Sequence, residues 1–354
     1  MTTRMRVLLH GFMTLAVAGC ASSFNSLQSP SPANTPDPLA IEQRLILIGD
    51  AGTLESAGVL RVMADSVRNL AEITTVVFLG DNVYPDGIPS DTASDRSYSE
   101  DVLRQQVVAA TTGGATAIFV AGNHDWNHAL PGVIAQSELV SQFGGPNARY
   151  LPQPPGCPGP ESVALGERVL LVVLDTEWML MEEKPAGPCA DRTNEEVLRD
   201  LEAMLASRGS RDVVMASHHP LRTKGVHGGK CGLLCLRQLW KSIVGEVQDM
   251  GHSRNREMRN GIADAIRSAR PIVYAAGHDH SMQVFEGAEG SEAEFFLVSG
   301  RGAADKESLV GRDESTLYAA SVPGFMILDF LSQDRVVLRV IETETGDVYV
   351  RALR

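Results

Sequence analysis

From Arg44 onward, short runs rich in Val, Ile, Leu and Phe recur and alternate with helical patterns, and this repetition leaves few folds open to the chain. RLILIGD, TTVVFLGD, TAIFVAGNHD, RVLLVVLDT, DVVMASHHP, PIVYAAGHDH and AEFFLVSG all have the length and composition of buried strands. Amphipathic helices are expected between several of them: Leu60, Met63, Val67 and Leu70 share one face, as do Val197, Leu201, Met204 and Leu205. Capping-box patterns at Ser97 with Glu100 and at Thr193 with Glu196 mark two helix starts. FMILDF, VVLRVIE and DVYVRAL close the chain as hairpin-like strands, and the Pro/Gly-rich stretch 144–160 reads as an inserted loop. The order is α/β, and no internal break divides residues 44–354 into two domains.

The polar residues concentrate where the apolar runs stop. In α/β sheets the crevice beyond the carboxyl ends of the strands is where ligands bind. Here those ends carry Asp50, Asp81, Asn123 with His124, His218 with His219, and His278 with His280. A lone Gly-Asp after a strand is an ordinary turn, as at Gly346-Asp347. Asn-His-Asp in succession after an apolar run has no packing value, however, and two imidazoles two residues apart project to one side of an extended segment. Mixed carboxylate, amide and imidazole donors suit Fe, Mn or Zn rather than a thiolate site. A bridging carboxylate between two such ions is the arrangement of a two-metal hydrolase.

The ordered set GDAG, GDNVY, GNHD, SHHP and GHDH resembles the motifs of the calcineurin-like metallophosphoesterases, and within them is most similar to the small, tartrate-resistant purple acid phosphatases. Most relatives carry Asp-x-His in the first motif; here position 52 is Gly, and the second motif supplies Tyr84 instead. The resemblance implies a four-layer α/β/β/α fold that hydrolyses phosphate monoesters by in-line attack of a metal-held hydroxide. It further implies that Asp50, Asp81, Tyr84 and His280 bind Fe(III), and that Asp81 bridges to Fe(II), Zn or Mn, completed by Asn123, His218 and His278. His219 would then be a pocket residue, while His124 and His227 would be the catalytic histidines that protonate the leaving group. A phosphodiesterase or nucleotidase on the same metal core is the alternative enzyme, and a surface lipoprotein that binds phosphate or metal is the non-enzymatic one.

The rest of the chain places this domain. Arg4 and Arg6, a short apolar run and VAGC ending at Cys20 form an export segment over residues 1–20 that resembles a bacterial lipobox. Lipid on Cys20 would attach the protein to a membrane, with the periplasmic side of the outer membrane favoured because Ala21 and Ser22 replace the Asp of inner-membrane retention. Residues 21–43, rich in Ser, Pro and Asn, read as a disordered tether. The four remaining cysteines allow three disulfide connectivities. Pro/Gly-rich surroundings favour Cys157 with Cys189, which leaves Cys231 with Cys235 as a short local bridge. With 44 acidic against 31 basic side chains and a net charge of -13, phosphate-backbone binding is a poor default and nucleic acid is not expected as a partner, whereas a small phosphorylated substrate is compatible with this charge.

Overall fold

A computed structural model describes residues 36–228, 246–306 and 308–354. The segment ending at Cys20 and the Cys231/Cys235 pair lie outside the described residues. The first strand, β1 (Ile41–Ile48), begins three residues before Arg44, so part of the stretch expected as tether is already sheet.

The chain lays down β2 (Thr74–Phe78), β3 (Thr116–Phe119) and β4 (Ala148–Tyr150) parallel to β1. It then crosses to a second sheet, builds β5 (Glu161–Leu165), β6 (Val169–Val173), β7 (Asp212–Ala216), β8 (Val273–Ala276), β9 (Met282–Glu286), β10 (Phe295–Ser299) and β11 (Thr316–Ala320), and returns. Of the closing strands, β12 (Gly324–Leu331) pairs antiparallel with β1, with Leu45 opposite Leu328 and Ile46 opposite Ile327, and β13 (Arg335–Glu342) and β14 (Gly346–Ala352) follow as an antiparallel meander. Two seven-stranded sheets result, ordered β14-β13-β12-β1-β2-β3-β4 and β11-β9-β10-β8-β7-β6-β5.

Alternation along each strand decides which layer it feeds. On β1, Leu45 and Leu47 enter the core between the sheets, where they meet Leu171, Val214 and Leu297. Ile46 and Ile48 point the other way, towards α1 (Ala57–Arg68), α2 (Arg96–Ala110) and α3 (Ala129–Gly144). The outer face of the second sheet is covered by α4 (Thr176–Leu180), α5 (Asn194–Ala206) and α6 (Ser253–Ile266), through Val197, Leu201, Ile262 and Ile266. The fold is therefore a four-layer α/β/β/α sandwich, as expected. Each fully buried aliphatic side chain of these layers contributes about 1.5–3 kcal/mol.

Two local expectations fail. Ser97 lies inside α2, whose N-cap is Asp95; the Arg96 side chain grips the Pro89 carbonyl and Glu100, drawing the helix start forward. The 144–160 stretch is not simply a loop, because β4 within it forms the edge of the first sheet. The Thr193 capping box is present, with Glu196 as its reciprocal partner. Cys157 and Cys189 are joined, tying the crossover between the sheets to the loop after α4. Among the described residues no helix is long and apolar enough to cross a membrane.

Candidate metal centre

The parallel strands β1, β2 and β3 of one sheet and β7 and β8 of the other end at a common edge. Backbone hydrogen bonds stitch the loops there: Gly49 N–H donates to Ser299, Asp50 N–H to Gly80, and Gly277 N–H to His218. Three residues at these strand ends, Asp50, Asp81 and His278, adopt positive φ angles of 58°, 54° and 71°. Non-glycine residues rarely enter this region, and where they do the strain is concentrated at functional sites.

One cluster gathers around the Tyr84 hydroxyl. It stands 3.0 Å from Asp50 Oδ1, 2.9 Å from Asp81 Oδ2 and 3.1 Å from His280 Nε2. A single phenolic proton cannot serve three acceptors. Burial, then the charges of Asp50 and Asp81, push the Tyr84 hydroxyl well above its ordinary value, so a phenolate here requires a cation beside it.

The second cluster gathers around Asn123 Oδ1, 3.0 Å from His218 Nε2 and 3.2 Å from His278 Nδ1, with the two ring nitrogens 3.2 Å apart. Each ring is oriented from behind. His218 Nδ1 lies 2.8 Å from the Leu79 carbonyl and His278 Nε2 lies 3.2 Å from that of Gln248. As N–H donors to those carbonyls, both rings turn a lone pair on the amide oxygen, an arrangement that a shared cation relieves. Burial lowers His218, but the Asp81 and Asp50 carboxylates more than offset it and raise the group overall, so this point stabilises positive charge.

Asp81 joins the clusters, with Oδ2 on Tyr84 and Oδ1 3.5 Å from His218 Nε2. Burial raises its carboxyl, yet His218, His124 and the hydrogen bonds from the His124 amide and Tyr84 hold it below the ordinary value. All seven residues expected as ligands are thus brought together. Two oxygen- and nitrogen-rich donor sets sharing one carboxylate fit a pair of hard-to-borderline cations.

His219 comes close to His218 and His278, with ligand atoms within 4.8 Å, but both its ring nitrogens are engaged, by Thr176 Oγ1 at 2.9 Å and Gln248 Oε1 at 2.6 Å. Burial and the His218 charge lower it to about 3, so it is a neutral wall of the site. His124 lies at the mouth: its amide donates to Asp81 Oδ1, Nδ1 binds the Pro85 carbonyl, and Nε2 is 4.0 Å from Asp81 Oδ2. The His227 ring is 4.2 Å from that of His278, with Nδ1 3.0 Å from Asp249 Oδ1.

Several functional-site residues were not legible in the sequence. Asp125 accepts from the backbone amides of Asn82, Val83 and Gly122 and from Gln136, clamping the second and third motif loops together. A carboxylate in GNHD that accepts from backbone amides and a buried Gln has no local pattern to set it apart from a ligand. Gln248 and Asp249 come from a polar loop with no strand-end pattern to mark them. Arg301, in the loop after β10, is buried and donates to the carbonyls of Ala303, Ala304 and Ser321.

No protein-family model matches the chain, and no curated protein does. Solved structures do. GAP50, the anchor in the inner membrane complex of Plasmodium, superimposes with a TM-score of 0.61 at 16% identity, covering 88% of each chain. A purple acid phosphatase from seeds of yellow lupin (Lupinus luteus) superimposes with a TM-score of 0.59 at 16% identity, over 92% of this chain and 55% of the lupin protein. The present chain thus spans little more than half the length of that enzyme. Both similarities are similarities of fold.

Proposed function

We propose that the protein is a dinuclear-metal hydrolase of phosphate monoesters. The observation that supports this reading is the Asp81 carboxylate lying between two groups of potential donors, Asp50/Tyr84/His280 on one side and Asn123/His218/His278 on the other. The fold is shared by an anchor protein and a phosphatase, so fold does not choose between them. The converging donors of this chain, which a bound cation would relieve, favour the hydrolase reading. Fe(III) beside Tyr84 with Fe(II), Zn or Mn on the other side is the metal pair favoured by the phenolate.

When bound, the ions would supply Lewis-acid stabilisation of the phosphoryl oxygens and acidify water. The chain's own residues would do the rest. Asn123 and His124, at the start of the turn after β3, place an amide and an imidazole on the same lip of the site. Because His124 Nδ1 is held by the Pro85 carbonyl, Nε2 is the nitrogen left to carry a proton to the departing oxygen. His227, oriented by Asp249, would be the second proton donor. Water attacks phosphorus as the P–O bond to the leaving group breaks, without a phosphoenzyme, so the configuration at phosphorus inverts.

Attachment through lipid on Cys20, and the tether that follows it, remain part of the proposal on sequence grounds. The deciding experiment pairs a visible absorption spectrum with elemental analysis of the protein purified without added metal, followed by turnover of chromogenic mono- and diesters. Two metals per chain, a broad purple band lost in Tyr84→Phe, and monoester hydrolysis are expected. Colourless protein with two Mn or Zn ions and preference for the diester would replace this reading with a phosphodiesterase. A fully loaded protein that turns over neither would replace it with a binding protein.

A further inference from the structure

Lys306 stands over the face of Tyr84, with Nζ 4.3 Å from the ring centroid. The phenolic oxygen lies in the ring plane, so this contact leaves the three N–H donors of the ammonium without an acceptor in the ring. Among the described residues Lys306 forms no ion pair, whereas other basic side chains near this edge are committed. Lys224 pairs with Asp313 at 2.6 Å, Arg222 stacks on Phe296 at 4.2 Å and bonds Ser291, and Arg301 is turned onto backbone carbonyls.

The backbone that leads to it is fastened. Gly302 N–H donates to the Gly49 carbonyl, Arg301 grips the carbonyls of Ala303 and Ala304, and Asp305 accepts from the Thr53 hydroxyl at 2.9 Å. Residues 302–305 are thus fastened to both sides of Asp50, and Lys306 follows directly. On another side of the same phenol ring is His124, edge-on with centroids 4.6 Å apart. Lys306 is half-buried, has no charged partner among the described residues, and stacks on the phenol that bridges Asp50 and Asp81, so its ammonium is available to a further anion at this site.

We propose that Lys306 is an oxyanion-binding residue of this site, its ammonium engaging either a phosphoryl oxygen of the substrate or a second anionic group on the leaving part. The inference rests on the proposed phosphate chemistry of the centre. An oxyanion is the shared requirement, and the two sources separate by experiment.

The metal-loaded full chain is titrated calorimetrically with inorganic phosphate and with methylenediphosphonate, which is not hydrolysed, using wild type, Lys306→Met and Lys306→Arg. Loss of a charge-assisted hydrogen bond is expected to raise Kd about tenfold in Lys306→Met, with most of the affinity returning in Lys306→Arg and an unchanged thermal midpoint. A rise for both ligands assigns Lys306 to the phosphoryl group. A rise for the diphosphonate alone assigns it to a second anionic group and points to substrates bearing one. Unchanged Kd values for both, or wild type that binds neither, overturn the inference. Wild type that binds phosphate through Lys306 yet hydrolyses no ester leaves it standing while removing the hydrolase reading.

Discussion

The backbone amide of Tyr84 donates to the carbonyl of Gly52 at 2.8 Å, so the residue without a side chain and the residue whose phenol enters the site are bonded to each other. A Cβ at position 52 would stand 2.7 Å from the Asp81 carbonyl oxygen and 2.8 Å from the Val83 nitrogen. Those are backbone atoms that cannot turn aside. In this backbone any side chain at position 52 would press on the loop that carries Tyr84.

Gly52→Ala is accordingly expected to displace the Tyr84 loop, costing about 1–3 kcal/mol of stability as overpacking does, and to lower metal content at the Tyr84 side. Thermal melts and elemental analysis of the variant check this. Tyr84→Phe should keep the fold while losing metal there, and wild-type metal content in both variants would separate Tyr84 from the metals.

Asp249 faces His227 across 3.0 Å and orients its ring. Asp249→Ala should reduce kcat about tenfold to a hundredfold, the usual effect of removing a partner behind a working histidine, while both metals and the KM of a small monoester are retained. A loss confined to metal content would make Asp249 a support for His278 instead.

Joining Cys157 to Cys189, 32 residues apart, restricts the unfolded chain and contributes about 3–4 kcal/mol in the chain-entropy model. The Cys157→Ser/Cys189→Ser double variant should unfold at correspondingly lower denaturant. Because neither residue belongs to the metal cluster, kcat at low temperature should be preserved; denaturant curves and steady-state rates give both numbers.

Burial pushes the Asp175 carboxyl from 3.8 up to about 7, against the hydrogen bonds it accepts from Trp178 N–H and Trp126 Nε1–H. The folded protein thus holds a proton that the unfolded chain has released. Its stabilisation is complete below about pH 4 and is lost as pH rises through about 7, on the order of 1.4 kcal/mol for each pH unit between the two values. Asp175→Asn, uncharged at all pH, should show a thermal midpoint that falls less between pH 5 and 8 than that of wild type. Parallel slopes would mean that Asp175 is ionised in the fold.

Much of this centre could be read from the sequence because a buried strand ending in a polar residue is a local pattern, and five such ends converge through topology alone. Asp50, Asp81, Asn123, His218 and His278 belong to that class. Gln248, Asp249 and Lys306 do not: each reaches the site on an irregular loop, and only the tertiary path brings it there. Strands β4, β9 and β11 escaped because ARY, MQVFE and TLYAA lack the continuous apolar run ending in a polar motif that marked strands of equal length such as β2 and β3. At Ser97 the failure was a competing contact, because the Arg96 guanidinium outweighed a capping pattern one residue further on.

The left-handed backbone at Asp50, Asp81 and His278 also limits how this site can change over time. Asp, Asn and His are the side chains that enter this region most readily after glycine, and all three are hard or borderline ligands. Cysteine has no such advantage, and longer carboxylates such as Glu have none either. Substitutions drifting through these positions are filtered by chain geometry before any metal is bound, so the backbone itself keeps the lineage of this site with oxygen- and nitrogen-loving ions and away from thiolate chemistry.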